Sequence, residues 1–149
     1  MCFKNEAMHL DDTLQSILSQ SERDFELIAV DDHSDDSSAS LLKTYTQLDD
    51  RIVLLSNSGH GIIDALRTAF SAASGALITR HDADDLMPSY KLKALKEILL
   101  RHGVGHVATG LVRYFSDGIL KGGFVKYADW LNYLCKTGTH EKYLFKECV

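Results

Sequence analysis

Two short apolar runs, each closed at once by carboxylates, constrain this chain more than any other feature. Phe25-Glu26-Leu27-Ile28-Ala29-Val30 runs into Asp31-Asp32, and Ala76-Leu77-Ile78-Thr79 runs into Arg80-His81-Asp82-Ala83-Asp84-Asp85. Between them lies Ile52-Val53-Leu54-Leu55. Runs of this length and composition read as strands, the last of the three as a buried one. The intervening apolar residues recur at helical spacing. Leu10, Leu14, Ile17 and Leu18 predict a helix from Ala7 to Ser19. Leu41, Leu42, Tyr45 and Leu48 mark a second, and Ile63, Leu66, Phe70 and Ala73 a third, closed by Gly75. Strands alternating with helices predict an α/β fold with parallel strands joined by right-handed crossovers.

Further along, Pro88 starts a fourth helix with Leu92, Leu95, Ile98 and Leu99 inward. From Val104 to Phe124 the residues favour strands, with Asp117-Gly118 as a hairpin turn. Tyr127 to Leu134 reads as helical, and so does the end from Thr139. A chain of 149 residues suits one domain with a real core. The net charge of -5 argues against a nucleic-acid binder. No apolar run approaches a membrane span, and the first residues turn polar too soon for a signal peptide. Cys2, Cys135 and Cys148 are odd in number and lack metal-site spacing, which predicts a reduced cytosolic setting.

The chemistry is expected at the acidic loops. In open α/β sheets, ligands bind at the carboxyl ends of the strands. Both loops fall on that edge and can face one cleft. Crowded carboxylates repel, and a hard divalent ion such as Mg²⁺ or Mn²⁺ relieves the crowding while sharing its sphere with substrate phosphates. Alternatively, Asp84 and Asp85 only favour the start of the next helix. Gly59-His60-Gly61 reads as a turn in preference to an anion cradle. His33, His60 and His81 with Asp82 would make a His/Asp metal centre, without the paired spacing of a zinc site. Arg80 pairs with a carboxylate or with a phosphate. Asp35-Asp36 reads as a solvated cap, and Tyr127 with Trp130 as core.

These residues, in this order, resemble the family 2 glycosyltransferases, which have the GT-A fold. Asp31-Asp32-His33-Ser34 is similar to that family's Asp-Asp-X-Ser loop, and Asp82-Ala83-Asp84 to its Asp-X-Asp motif. Gly61 to Leu66 resembles its third helix, and Phe3-Lys4-Asn5-Glu6 its first loop. The resemblance covers the chain to about Leu99 and more loosely to Trp130. It implies a Rossmann-like, mostly parallel sheet with flanking helices, incomplete, plus a hairpin. It also implies a UDP- or GDP-linked sugar donor and a glycan or lipid-linked acceptor in surface polysaccharide biosynthesis. By position, Asp32 meets the base, Asp82 the ribose, diphosphate or metal, and Asp84 the metal. Asp85 orients the sugar and is the one catalytic candidate. Cys2, Lys4 and Asn5 line the nucleotide pocket. The implied cofactor is Mn²⁺ or Mg²⁺, and the reaction an inverting displacement.

Departures from the family pattern shape the remaining expectations. The first strand is read as absent, with the chain starting inside the first loop. The second half, with the acceptor site and catalytic base, is read as absent too. Lys4 stands where an aromatic is common, and Arg67 where Asn is frequent. Residues 1–149 are thus expected to be the donor-binding part of a GT-A domain, truncated at both ends. A missing central strand leaves backbone groups unpaired, which predicts weak stability or self-association. Contact with the inner face of a membrane is the remaining partner considered. The rival functions are a non-catalytic nucleotide-binding or assembly module and a metal-dependent phosphohydrolase using Asp31, Asp82 and the histidines.

Overall fold

Three parallel strands, β1 (Cys2–Phe3), β2 (Leu27–Asp31) and β3 (Ile52–Ser56), lie in that order in the sheet. The computed structural model describes residues 1–103, 107–114 and 118–139. It divides into two compact units, Met1–Lys96 and Glu97–Val149. In the first, β2 pairs with β3 along its whole length, from Leu27 opposite Ile52 to Asp31 opposite Ser56. Leu27 and Ala29 pack into one cluster with Leu10, Leu14 and Ile17 of α1 (Leu10–Leu18) and Leu42 of α2 (Ser38–Leu48). Ile28 and Val30 pack into a second with Ala65 of α3 (Ile62–Ala72). This is the period-2 alternation of a strand, and a strand covered on both faces needs an unbroken apolar run.

The first strand, expected to be absent, is present as a short end. Cys2 lies opposite Val30 and Phe3 opposite Asp31, and Phe3 is buried. Two residues are too few for a periodicity to reveal. The run Ala76–Thr79, expected as a buried strand, pairs with no other strand, and Leu77 and Ile78 are 45% and 56% exposed. A strand needs a neighbour's donors and acceptors. The sheet edge at β1 offers only two residues of ladder. Gly75 does not close α3 either. The helix ends at an extended Ala73, and the Ser74 and Gly75 N–H groups donate to the Glu26 carboxylate at 2.7 and 3.0 Å.

On α3 and its cap the expected spacing holds at Leu66 and Ala73, which are half-buried, and fails at two positions. Ala65 is buried and Ala69 half-buried, whereas Ile63 and Phe70 are exposed. Alanines let a helix approach a sheet closely, and close packing decided the face here. Leu48 at the end of α2 is likewise exposed. Pro88 makes a turn, its carbonyl accepting from Lys91 N–H at 2.9 Å, and α4 follows (Lys91–His102). Leu92, Leu95 and Leu99 are half-buried along it and Ile98 is exposed.

In the second unit, α5 (Gly122–Thr137) extends the predicted helix at both ends and closes on Gly138, whose φ of 65° is left-handed. Leu134 is its buried residue. The rings of Tyr114, Phe124, Tyr127 and Trp130 form a chain with centroids 5.5 to 6.3 Å apart. Neither residues 107–114 nor residues 118–121 form strands, contrary to the expected hairpin. The N–H and C=O of Val112, which a ladder would have paired, are both taken by the Asn132 side chain at 2.7 and 2.8 Å. The turn residue Asp117 and the predicted terminal helix, residues 140–149, lie outside the described residues.

Candidate functional site

The loop after β2 is built around Asp32. Its Oδ1 accepts from Asn57 Nδ2 at 2.6 Å, and both carboxylate oxygens stand 3.0 Å from Gly61 N. Asn57 is buried, so this grip is fixed from below. The Asn57 hydrogen bond, then the Gly61 N–H and the charges of Lys4 and His33, hold the Asp32 carboxyl below the usual carboxylate range. Gly61 has a φ of 85°, which a side chain would resist. The Gly59-His60-Gly61 segment is the turn expected: its three N–H groups serve Asn57, Asp64 and Asp32.

The first loop is laced to the second. Asn5 N–H donates to Ser34 Oγ, Glu6 N–H to Ser38 Oγ and Ala7 N–H to Asp36 Oδ2, at 3.1, 2.8 and 3.1 Å. Asn5 Oδ1 accepts from Asp35 N–H at 2.9 Å. The Asn5 side chain is therefore a clasp between loops. Asp36 is the exposed cap expected, accepting from Ser38 N–H at 2.8 Å, and its bond from Ala7 adds a tie to the first loop.

The acidic loop reaches the site without a strand beneath it. It hangs from α1. Thr13 Oγ1 donates to the Ala83 carbonyl at 2.8 Å, and Ser16 Oγ accepts from Met87 N–H at 3.0 Å. Gln20 Nε2 donates to the Pro88 carbonyl at 2.8 Å, and its Oε1 accepts from Leu92 N–H at 3.1 Å. Thr13 and Gln20 are fully buried. Polar Thr13 and Ser16 on an otherwise apolar helix face, and Gln20 just beyond the helix, were the signal available in the sequence, and the apolar periodicity hid it.

The three loops converge on a cavity of about 250 Å³. Cys2, Lys4, Asp32, Asp82 and Asp84 line it together with Glu6, Ile62 and Arg80. Of the candidate residues, Asn5 and Asp85 do not line it. Arg80 pairs with Asp82, Nη2 to Oδ1 being 3.1 Å. Asp84 is exposed. The Asp85 carboxyl titrates above its ordinary value, through partial enclosure first and then the charges of Asp84 and Asp82. Enclosure likewise raises the Cys2 thiol, which keeps it protonated and a poor nucleophile.

The histidines are otherwise occupied. His33 and His60 stack with centroids 4.5 Å apart, and His33 Nε2 donates to the Gly59 carbonyl at 2.8 Å. His81 is buried and donates from Nε2 to the Asp85 carbonyl at 3.2 Å. Burial, then the charge of Lys91, pushes its pKa down to about 4, so it is neutral. Among the described residues, no three His, Cys, Asp or Glu side chains group to hold a metal. Two hard oxygen donors, Asp82 and Asp84, fit the other mode, in which Mg²⁺ or Mn²⁺ takes one or two carboxylates and completes its sphere with phosphate and water. No helix among the described residues is long and apolar enough to cross a membrane.

Comparison with known proteins finds glycosyltransferases. A Bacillus subtilis (strain 168) glycosyltransferase, TuaG, whose name assigns it to teichuronic acid biosynthesis, is 30% identical over 128 residues, covering 84% of this chain and 50% of the relative. The Escherichia coli O-antigen biosynthesis glycosyltransferase WbnJ is 29% identical over 126 residues, covering 84% and 48%. An uncharacterized glycosyltransferase of Haemophilus influenzae is 33% identical over 87 residues, covering 58% and 27%. The chain spans half or less of the length of these relatives. The model of glycosyl transferase family 2, a family generally dependent on divalent metal, matches residues 1–144, and the chain belongs to that family.

Proposed function

We propose that residues 1–149 are the donor-binding part of a GT-A domain that transfers a sugar from a nucleotide-diphosphate sugar, with inversion, to a growing surface polysaccharide. The observation that carries this reading is the meeting of Asp32, Asp82 and Asp84 in one cavity. Asp32 is held ionised and can only accept hydrogen bonds. A base facing it must offer an N–H. Uracil and guanine have a ring N–H on their pairing edge, whereas cytosine and adenine offer only an exocyclic amine there. The ring N–H and the resemblance to the family together favour a UDP- or GDP-linked donor.

Asp84, with Asp82 beside it, holds Mg²⁺ or Mn²⁺, which when bound neutralises charge on the departing diphosphate. Lys4 and Cys2 flank the nucleotide, and Asn5 keeps that loop in place. Asp85 orients the sugar. None of the described residues is assigned as the base that takes the acceptor proton. The names of the teichuronic acid and O-antigen relatives support a glycan or lipid-linked acceptor. We place the reaction on the cytoplasmic side, with peripheral contact at the inner membrane face.

Calorimetric titration with UDP, GDP, CDP and ADP, each with and without Mn²⁺, beside an Asp84→Ala variant, tests the reading. The expected result is metal-dependent binding of UDP or GDP that the variant loses, with CDP and ADP bound more weakly. Equal binding of all four nucleotides, or binding that Asp84→Ala leaves intact, refutes it.

A further inference from the structure

We propose that Arg80 is an exchange partner for Asp82: it grips that carboxylate in the free chain and transfers to the donor's diphosphate when metal and nucleotide bind. The proposal rests on the donor-site reading above. Arg80 and Asp82 meet as a two-pronged pair, with Nε 3.1 Å from Oδ1 and Nη2 3.3 Å from Oδ2. Both carboxylate oxygens are thus engaged. A cation approaching Asp82 meets two oxygens that already share their charge with the guanidinium, so the two cations compete for it.

The pair is built to loosen. The two side chains are 49% and 48% exposed, so water screens their attraction. Both residues line the cavity, whose other charged residues are Lys4, Glu6, Asp32 and Asp84. Carboxylates outnumber cations on that wall, and a diphosphate approaching it needs positive charge at close range. A divalent cation prefers hard carboxylate oxygens and competes for Asp82. The guanidinium released by that competition has a planar fork that matches phosphate oxygens as well as it matches a carboxylate. No covalent step is involved; one ion pair is traded for two.

The two halves of the exchange have opposite signs, which a merely structural salt bridge lacks. Calorimetry on the 149-residue chain, wild type, Arg80→Ala and Arg80→Lys, is run with Mn²⁺ alone and with UDP or GDP at saturating Mn²⁺. Arg80→Ala is expected to bind Mn²⁺ alone about two- to fivefold more tightly, since Asp82 is no longer shared. The same variant is expected to bind the nucleoside diphosphate about tenfold more weakly, through loss of a charged hydrogen bond. Arg80→Lys keeps the charge without the fork and falls between. Affinities that move together, or not at all, in a chain whose wild type binds nucleotide overturn the exchange alone. A wild type that binds neither UDP nor GDP overturns the donor-site reading and the exchange with it.

Discussion

Replacing Gln20 with leucine tests whether side chains of the first helix region hold the acidic loop. The side chain is fully buried and stands near three carbonyls, of Ser16, Met87 and Pro88, at 3.2, 3.3 and 2.8 Å. An amide carries two hydrogens, so two of these contacts can be full bonds. Its Oε1 accepts a third from Leu92 N–H at 3.1 Å. At about 1 kcal/mol net for each bond, the loss is about 3 kcal/mol. Leu92 N–H sits at the start of α4, has no partner one turn back, and adds about 1 kcal/mol when left unpaired. The apolar burial that leucine gains offsets about that much. A net loss of about 3 kcal/mol is a large share of a stability of order 5–15 kcal/mol. Urea unfolding of both proteins measures it, with a midpoint expected to fall by about 1–2 M at unchanged slope. A loss below about 0.5 kcal/mol, in the range of ordinary surface substitutions, refutes the claim that these bonds hold the loop.

Two further outcomes follow from the structure. His81 is buried with its pKa lowered to about 4, so on acidification the unfolded chain takes up this proton first. Stability is expected to fall from pH 6.5 to about 4 by up to about 3 kcal/mol, and below that to lose nothing more through this group; His81→Gln flattens that window, and an unchanged profile contradicts the assignment. The two-residue edge strand and the exposed Ile62, Ile63 and Phe70 predict self-association of the isolated chain. Its melting midpoint is expected to rise with protein concentration, and a sharp, concentration-independent melt at monomeric mass counts against this.

How far the sequence could be read depended on what each residue needed from the rest of the chain. Leu27 to Val30 announced themselves because a strand covered on both faces must be apolar throughout. Ala76 to Thr79 has a similar composition, but whether a run becomes a strand depends on a neighbour, and composition does not report the length of β1. For α3, spacing gave the helix and half of its face, Leu66 and Ala73; Ile63 and Phe70 lost to Ala65 and Ala69 because apolar size outranks closeness of approach in a pattern. The meeting of Asp32, Asp82 and Asp84 was legible from the rule that parallel strands end on one edge. The means by which Asp82 arrives there was not. It depends on Thr13, Ser16 and Gln20, whose bonds span about seventy residues of sequence.

That tether bears on how the site can be rebuilt. A loop held by a strand ladder can be grafted between scaffolds, because backbone groups are the same in every protein. Here the loop is held by named side chains on, and just beyond, a distant helix. A transplanted acidic loop keeps its aim only if positions 13, 16 and 20 travel with it, and the smallest portable unit of this site is a helix and a loop together.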